Sequence, residues 1–499
     1  MAFTDTSFLI GVPLLWILFV LLPPRRRWWL LLPASYAFYM VHMPWYGLLL
    51  LGSTLVDYWI GRGLGSLSAP RLRRTLLLLS LVVNLGVLTT FKYAGFFAET
   101  LGHLTPQAFT TGTWIEHLLL PVGISFYTFQ SMSYSLDVYH GRVAPTRHFG
   151  HFASYISFFP QLVAGPIERA NRMLPCFAAP TLPTRRRLVE GMHWLLGGFF
   201  LKLVMADNVA PLVNAVFAEP ERFTSLGLWA AANLFAVQIY GDFAGYSLIA
   251  IGTARLFGFN LTQNFKRPWL AIGAADYWHR WHISLSTWFR DYVFVPLGGS
   301  RNGPLVLVWA TSVTFLLSGL WHGAAWTFIA WGGVHALLYL LAVATPRRSV
   351  NPSPVGRLLR TLAFSQILAT TWVLFRSPSI EAAIGFLMRM LSTEPLYDLR
   401  NVLSGAGAAS DPMSTVPSFL LRHPATLYGI AAAILVLGYE VWQECGRRTQ
   451  RRRSQPQPQG PSGLWRLPRV LRWVLYYAGV ASILIFGNFG GEPFIYFQF

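Results

Sequence analysis

Apolar runs of membrane-crossing length recur along the whole chain, separated by short breaks that are basic or rich in Gly and Pro. A spanning helix needs about 20 apolar residues, fewer where the bilayer is thin. Runs near 7–22, 28–41, 43–61, 75–97, 115–138, 188–206, 225–256, 305–320, 323–344, 361–376, 425–443 and 470–489 predict such helices. Two further runs, 151–165 and 268–298, are interrupted by Pro, Gly and charge and read as re-entrant or interfacial pieces. Irregular backbone at membrane depth is tolerated only where protein or a wet cavity surrounds it, so these pieces predict a buried internal site. The stretch 121–141 carries Ser125, Thr128, Gln130, Ser131, Ser133, Ser135 and Asp137 within an otherwise spanning run. Such a helix must face the bundle interior, with interhelical hydrogen bonding as the ordinary use of its hydroxyls. The pattern predicts an all-α polytopic membrane protein of about 11–13 membrane helices plus re-entrant or interfacial helices. No soluble-looking block interrupts it, so residues 1–499 are expected to form a single integral membrane domain.

Composition agrees: 54% of residues are hydrophobic and 12% charged, whereas soluble domains carry about a quarter charged residues. The net charge of +19, from 39 Lys and Arg against 20 Asp and Glu, has two readings: nucleic acid binding or loop charge that sets topology. Distribution decides between them. Arg25–Arg27, Arg71–Arg74, Arg185–Arg187, Lys266–Arg267, Arg347–Arg348 and Arg451–Arg453 fall in loops that the predicted helices return to one side. The exceptions are Lys92, Lys202, Arg222, Arg376, Arg389, Arg400 and Arg422. The charge is therefore a topology signal, which places the tract 264–303 in the cytosol and both termini on the outer face. Cys176 and Cys445 fall in loops assigned to the cytosol and are expected to be free thiols. The first apolar run precedes Arg25–Arg27, the reverse of a cleavable leader, so an uncleaved first span is expected. The basic, then Pro/Gln-rich stretch 447–463 reads as a flexible cytosolic loop, and 392–424 as an irregular outer segment.

Chemistry concentrates in two tracts. In Asn264–Gly303, Trp278, Trp281, His282, Leu285, Trp288, Phe289 and Tyr292 recur at three- and four-residue spacing, which predicts one face of a helix. An interfacial anchor would explain the aromatics but does not require His282 on the apolar side. Lys266, Arg267, Arg280, Arg290 and Arg301 could meet lipid phosphates or a phosphorylated acyl carrier. In Ser318–His335, Gly319 and Gly323 flank Trp321–His322, and Gly332 and Gly333 precede His335. Small residues allow close approach of helices or of a substrate. An ionisable residue within a span is a functional hypothesis by default, and a desolvated histidine stays neutral and able to take a proton. For His322 that reading stands beside a structural one, a ring satisfied by a neighbouring carbonyl; His335 reads as structural. His279 and His282 lack the further ligands of a metal site, so no metal is expected. No Walker-type phosphate loop or nucleophile elbow is present.

The stretches PVGISFYTFQSMSYSLDVY, FFPQLVAGPIER, DYWHRWHISLSTWFRDYVFVPLGG and FLLSGLWHGAAWTFIAWGGVHA resemble the membrane-bound O-acyltransferase family. Within it they look most like the bacterial branch involved in alginate and exopolysaccharide O-acetylation. The closing GNFGGEPFIYFQF is similar to the end of the same branch, and 121–345 is the most specific part of the likeness. The resemblance implies a cytosolic funnel leading to a buried site. His322 matches the family's catalytic histidine and His282 its second characteristic histidine. Where His279 stands the family usually has a basic residue. The implied reaction moves an acyl group, by expectation acetyl, from a cytosolic thioester such as acetyl-CoA to an extracytoplasmic partner protein that acetylates a polysaccharide. His322 would be the general base, and His282 would orient the donor. Trp278, Trp281, Ser284, Ser286, Trp321, Trp326 and Gln130 are candidate substrate contacts. Lys266, Arg267, Arg280 and Arg290 are candidates for holding the donor, with no tightly bound cofactor. The resemblance also places the chain in a bacterial inner membrane. D-alanyl transfer to teichoic acids, or a non-enzymatic transporter of the same topology, is the alternative.

Overall fold

The computed structural model describes residues 3–41, 44–104, 120–345, 353–392, 420, 423–452, 468–491 and 494–495. Among them all regular structure is helical. Among the described residues eight helices are long and apolar enough to cross a membrane, and Thr6–Leu21 is a shorter apolar helix. This is a multi-pass, all-α membrane protein.

In chain order the helices used below are α1 (Thr6–Leu21), α2 (Arg27–Met40), α3 (Pro44–Ser66), α4 (Pro70–Gly102), α5 (Ile124–Tyr139), α6 (Phe149–Ser157), α7 (Phe159–Leu162), α8 (Ala170–Ala178), α9 (Arg185–Ala218) and α10 (Ser225–Leu256). Then come α11 (Ala274–Trp278), α12 (Ile283–Phe289), α13 (Pro304–His322), α14 (Trp326–Ala344), α15 (Pro354–Arg376), α16 (Ile380–Met390), α17 (Ala425–Arg452) and α18 (Arg469–Phe486). Proline opens α3, α4, α13 and α15, where its missing N–H costs nothing and its fixed φ suits the first turn.

The expected spans near 28–41, 43–61 and 115–138 fall on helices α2, α3 and α5, which are not among those eight; residues 43 and 115–119 lie outside the described residues. The run 188–206 belongs to a longer helix that passes through a π-helical stretch, Phe200–Ala206, and continues to Ala218. The run 151–165 is broken as expected, into α6 and α7. The loop expected at 447–463 begins as helix up to Arg452; the rest of it, and most of 392–424, lies outside the described residues.

The chain divides into two compact units, one built from Met1–Leu195 and Ser247–Gln263, the other from Leu196–Tyr246 and Asn264–Phe499. In the first, the polar face of α5 is turned inward. Asp57 of α3 accepts hydrogen bonds from Ser80 Oγ (2.6 Å) and Asn84 Nδ2 (2.8 Å) of α4 and from Ser135 Oγ (3.2 Å) of α5. Gln130 Nε2 donates to the Tyr155 carbonyl at 2.7 Å. Gly61 has no room for a side chain, because a Cβ there would come 2.6 Å from the Tyr134 ring. Beyond α7, Glu168 is fully buried and accepts the Thr262 amide, while the Tyr155 hydroxyl donates to the Glu168 carbonyl. The motif FFPQLVAGPIER thus ties α6 to the 247–263 segment of this unit. With no water in a bilayer core, polar side chains must find such partners inside the bundle.

The second unit is held by close helix contacts. On α13 and α14, a Cβ at Gly319 would lie 2.2 Å from the Phe328 carbonyl oxygen, and one at Gly332 would lie 2.3 Å from that of Phe315. The two backbones therefore touch, as small residues permit.

Candidate active site

His322 is the last residue of α13. Gly323 leaves the helix in an extended conformation (φ −157°, ψ 151°), and α14 begins three residues later. This tight connection, together with the glycine contacts, sets the His322 ring 5.3 Å from Trp331 of α14, edge to face. Trp321 lies 5.0 Å from it and Phe375 of α15 5.5 Å, so aromatic rings wall the imidazole. His322 is buried.

His282 reaches the same place by a different local device. The three- and four-residue spacing in 278–292 predicts one continuous helix. The structure instead breaks it into α11 and α12, and His282 caps α12 with φ 42° and ψ 54°. That left-handed conformation is uncommon and disfavoured for a residue with a Cβ. It persists because the neighbouring backbone is bound on both sides. Lys266 N donates to the Arg280 carbonyl (2.9 Å) and Ile283 N to that of Asn264 (2.9 Å). Ser284 N donates to Asn264 Oδ1 (3.2 Å). The break turns the His282 ring inward, fully buried, 4.6 Å from Phe243 and 5.8 Å from Trp321. Its centroid lies 6.2 Å from that of His322. Burial pushes its pKa down to about 3, so the ring is neutral at physiological pH.

The other expected site residues separate into groups. Trp321 stands beside both histidines. Trp278 packs against Trp331 (5.9 Å) and His335 (5.2 Å). Trp281 is buried and stacks on Tyr277, with Phe265 and Trp372 around it. Ser284 is buried and Ser286 Oγ donates to the Trp281 carbonyl. Trp326 is 53% exposed at the start of α14. Gln130 belongs to the first unit and spends its amide on Tyr155. His335 is fully buried against Trp331 and Trp278, in keeping with a structural role.

The basic candidates also divide. Arg267 is buried and paired with Glu444 of α17 at 3.1 Å. Arg280 pairs with Asp276 at 2.8 Å and reaches Glu444 at 3.7 Å. Both guanidinium groups are thus engaged by carboxylates of the protein itself. Lys266 is exposed, and Arg290 is exposed beside Asp291. Arg290 also lines a cavity of about 220 Å³ with Trp278, His279, Ile283 and Ser286 on one side and Thr311, Thr314 and Ser318 of α13 on the other. Ile283 adjoins His282, and Ser318 precedes His322 by one turn.

Sequence reasoning did not single out Trp331, Phe375 and Phe243, which form the walls of the pair. Trp331 lies inside the WHG-containing motif and four residues before His335, a helical spacing that could have marked it. Phe243 and Phe375 come from distant apolar runs and carry no local signal.

The arrangement presents two buried imidazoles from independent elements, facing each other in a low-dielectric aromatic enclosure. A neutral imidazole there can accept a proton from a hydroxyl or orient a polar group. The sequence profile of the membrane-bound O-acyltransferase family matches residues 144–377, a span that contains both histidines. A probable alginate O-acetylase of Pseudomonas putida is 33% identical over the full length of both chains. One from Azotobacter vinelandii is 37% identical over 79% of this chain and 78% of its own length. A peptidoglycan O-acetyltransferase of Helicobacter pylori is 33% identical over 74% of each. With its all-helical fold and its paired histidines, the chain belongs to the membrane-bound O-acyltransferase family.

Proposed function

We propose that this O-acyltransferase passes an acetyl group from a thioester arriving from the cytosol to an extracytoplasmic acceptor, for O-acetylation of an alginate-like exopolysaccharide. The observation that carries this reading is the His282–His322 pair, 6.2 Å apart inside the aromatic enclosure. His322 takes the proton of the attacking hydroxyl. The oxygen adds to the thioester carbonyl, the tetrahedral adduct collapses, and the C–S bond breaks. The departing thiolate recovers the proton from His322, so the histidine ends neutral. His282 orients and polarises the thioester carbonyl. The donor is acetyl-CoA, and exposed Lys266 and Arg290 are the cations that meet its phosphates; the paired Arg267 and Arg280 shape the entry instead. The acceptor is a secreted or membrane-tethered acetyltransferase-like partner that modifies the polymer. The basic loops lie in the cytosol of a bacterium, the chain sits in the inner membrane and both termini face outward. The relatives' acetyl-transferring names favour this donor over a D-alanyl carrier.

The test is a strain carrying His322→Ala, with membrane insertion checked by immunoblot. Loss of polymer O-acetylation is expected, and retained acetylation overturns the reading. Supplying radiolabelled acetyl-CoA or D-alanyl carrier protein to inverted membrane vesicles distinguishes the donors. Cysteine accessibility at engineered loop positions tests the orientation.

A further inference from the structure

Lys202, Asp207 and Asp242 form a buried ion cluster in the second unit. Lys202 Nζ lies 2.8 Å from Asp207 Oδ1 and 2.7 Å from Asp242 Oδ1, and all three residues are buried. Such groups are expensive inside a membrane protein and are kept where they hold something in place. The transfer chemistry above does not use them.

What the cluster holds lies just beyond α18, among residues 487–491 and 494–495. Ile495 N donates to Asp242 Oδ2 at 2.6 Å. Asn488 N donates to the Leu203 carbonyl at 3.0 Å, and Asn208 Nδ2 to the Phe486 carbonyl at 2.7 Å. Gly491 passes so near Asp207 that a Cβ there would come 2.8 Å from its carboxylate. Next to Ile495, Phe494 is buried and stacks on Tyr246 with centroids 4.5 Å apart, and it lies 5.8 Å from Phe243. Phe243 is the ring that meets His282 at 4.6 Å.

We propose that Phe494 is a positioning residue for His282: the Lys202–Asp207–Asp242 cluster clasps Ile495 and Gly491, and Phe494 thereby wedges Phe243 against the imidazole. The wedge matters because His282 occupies a left-handed backbone conformation, which persists only where its surroundings over-determine it. Removing the Phe494 ring leaves a void behind Phe243, which then gains the freedom to swing away. The proposal rests on the role given to His282 above, but half of its test does not.

The experiment uses the full-length protein in detergent micelles. Diethyl pyrocarbonate labelling is followed at His282 and His335 by peptide mass spectrometry, and acetyl-CoA consumption is measured in parallel. His335 is the control, being equally buried but walled by Trp331 and Trp278. Phe494→Ala is expected to speed labelling of His282 about tenfold, leave His335 unchanged, and lower kcat about tenfold with KM within about twofold. Phe494→Tyr restores both readouts. Unchanged labelling of His282 overturns the proposal, and so does a parallel rise at both histidines, which reports general loosening. The labelling needs no substrate. A wild-type protein that consumes no thioester therefore counts against the acyl-transfer reading and leaves the wedge under test.

Discussion

Two buried polar regions serve opposite ends in this molecule. Around Asp57, polar groups on three apolar helices satisfy one another: Ser80, Asn84 and Ser135 all donate to one carboxylate. Around His282 and His322 the walls are aromatic, with Phe243, Trp321, Trp331 and Phe375 at centroid distances between 4.6 and 5.8 Å. The first arrangement binds helices together, because each donor has an acceptor fixed by the fold. The second buries two imidazoles among aromatic rings, a setting suited to receiving a proton from something that enters. The difference teaches that a polar residue in a span signals function less by its burial than by what lines it.

Exchanging the two regions' expected phenotypes would break that comparison most sharply. His322→Gln should lower the rate of thioester consumption by about 10²–10⁴-fold while leaving the thermal unfolding midpoint in detergent where it was. Asp57→Ala should do the reverse. It removes the acceptor shared by Ser80 and Asn84, at a cost of about 2–4 kcal/mol, seen as a lower midpoint, with the rate per folded molecule unchanged. A smaller effect is expected at the helix contact that carries His322. Gly332→Ala drives a methyl toward the Phe315 carbonyl and should cost about 1–3 kcal/mol; it should also slow turnover, since α13 and α14 must part. The last effect concerns pH and is spread over several units. His282 titrates near 3 when folded, against an ordinary value of 6.5. Between those values the unfolded chain binds a proton that the folded protein does not. Its contribution is therefore complete above pH 6.5 and is lost as the pH falls toward 3, by at most about 1.4 kcal/mol per pH unit. Unfolding midpoints measured from pH 7 to pH 4 should fall less steeply in His282→Gln than in the parent.

Much of the site was legible before any coordinates. His322 and His282 stood out because ionisable residues are costly in apolar runs, and Gly319 and Gly332 marked the close helix contact that positions one of them. The break at 268–298 was legible from its Gly, Pro and charge, but its consequence at His282 was not. A regular three- and four-residue spacing predicts a continuous helical face, whereas the hydrogen bonds that Asn264 accepts and Lys266 N donates help hold the backbone in the left-handed turn that overrides it. The arginines show a related limit. Arg267 and Arg280 look like phosphate ligands beside Lys266 and Arg290, yet Glu444, far along the chain, engages both. Trp326 shares a motif with His322 and is nonetheless 53% exposed at the first position of α14.

By itself the sequence determined the membrane environment and the all-helical architecture, which follow from apolar run length and the absence of water to satisfy backbone groups. It marked His322 and His282 as candidates through the cost of burying an imidazole, and the resemblance of their motifs gave them roles. Only the tertiary structure decided which rings enclose the pair, which cations are already engaged, and that Phe494 reaches back to Phe243. Those outcomes depend on residues up to two hundred or more positions apart being brought within a few ångströms, and no local pattern along a chain encodes such a meeting.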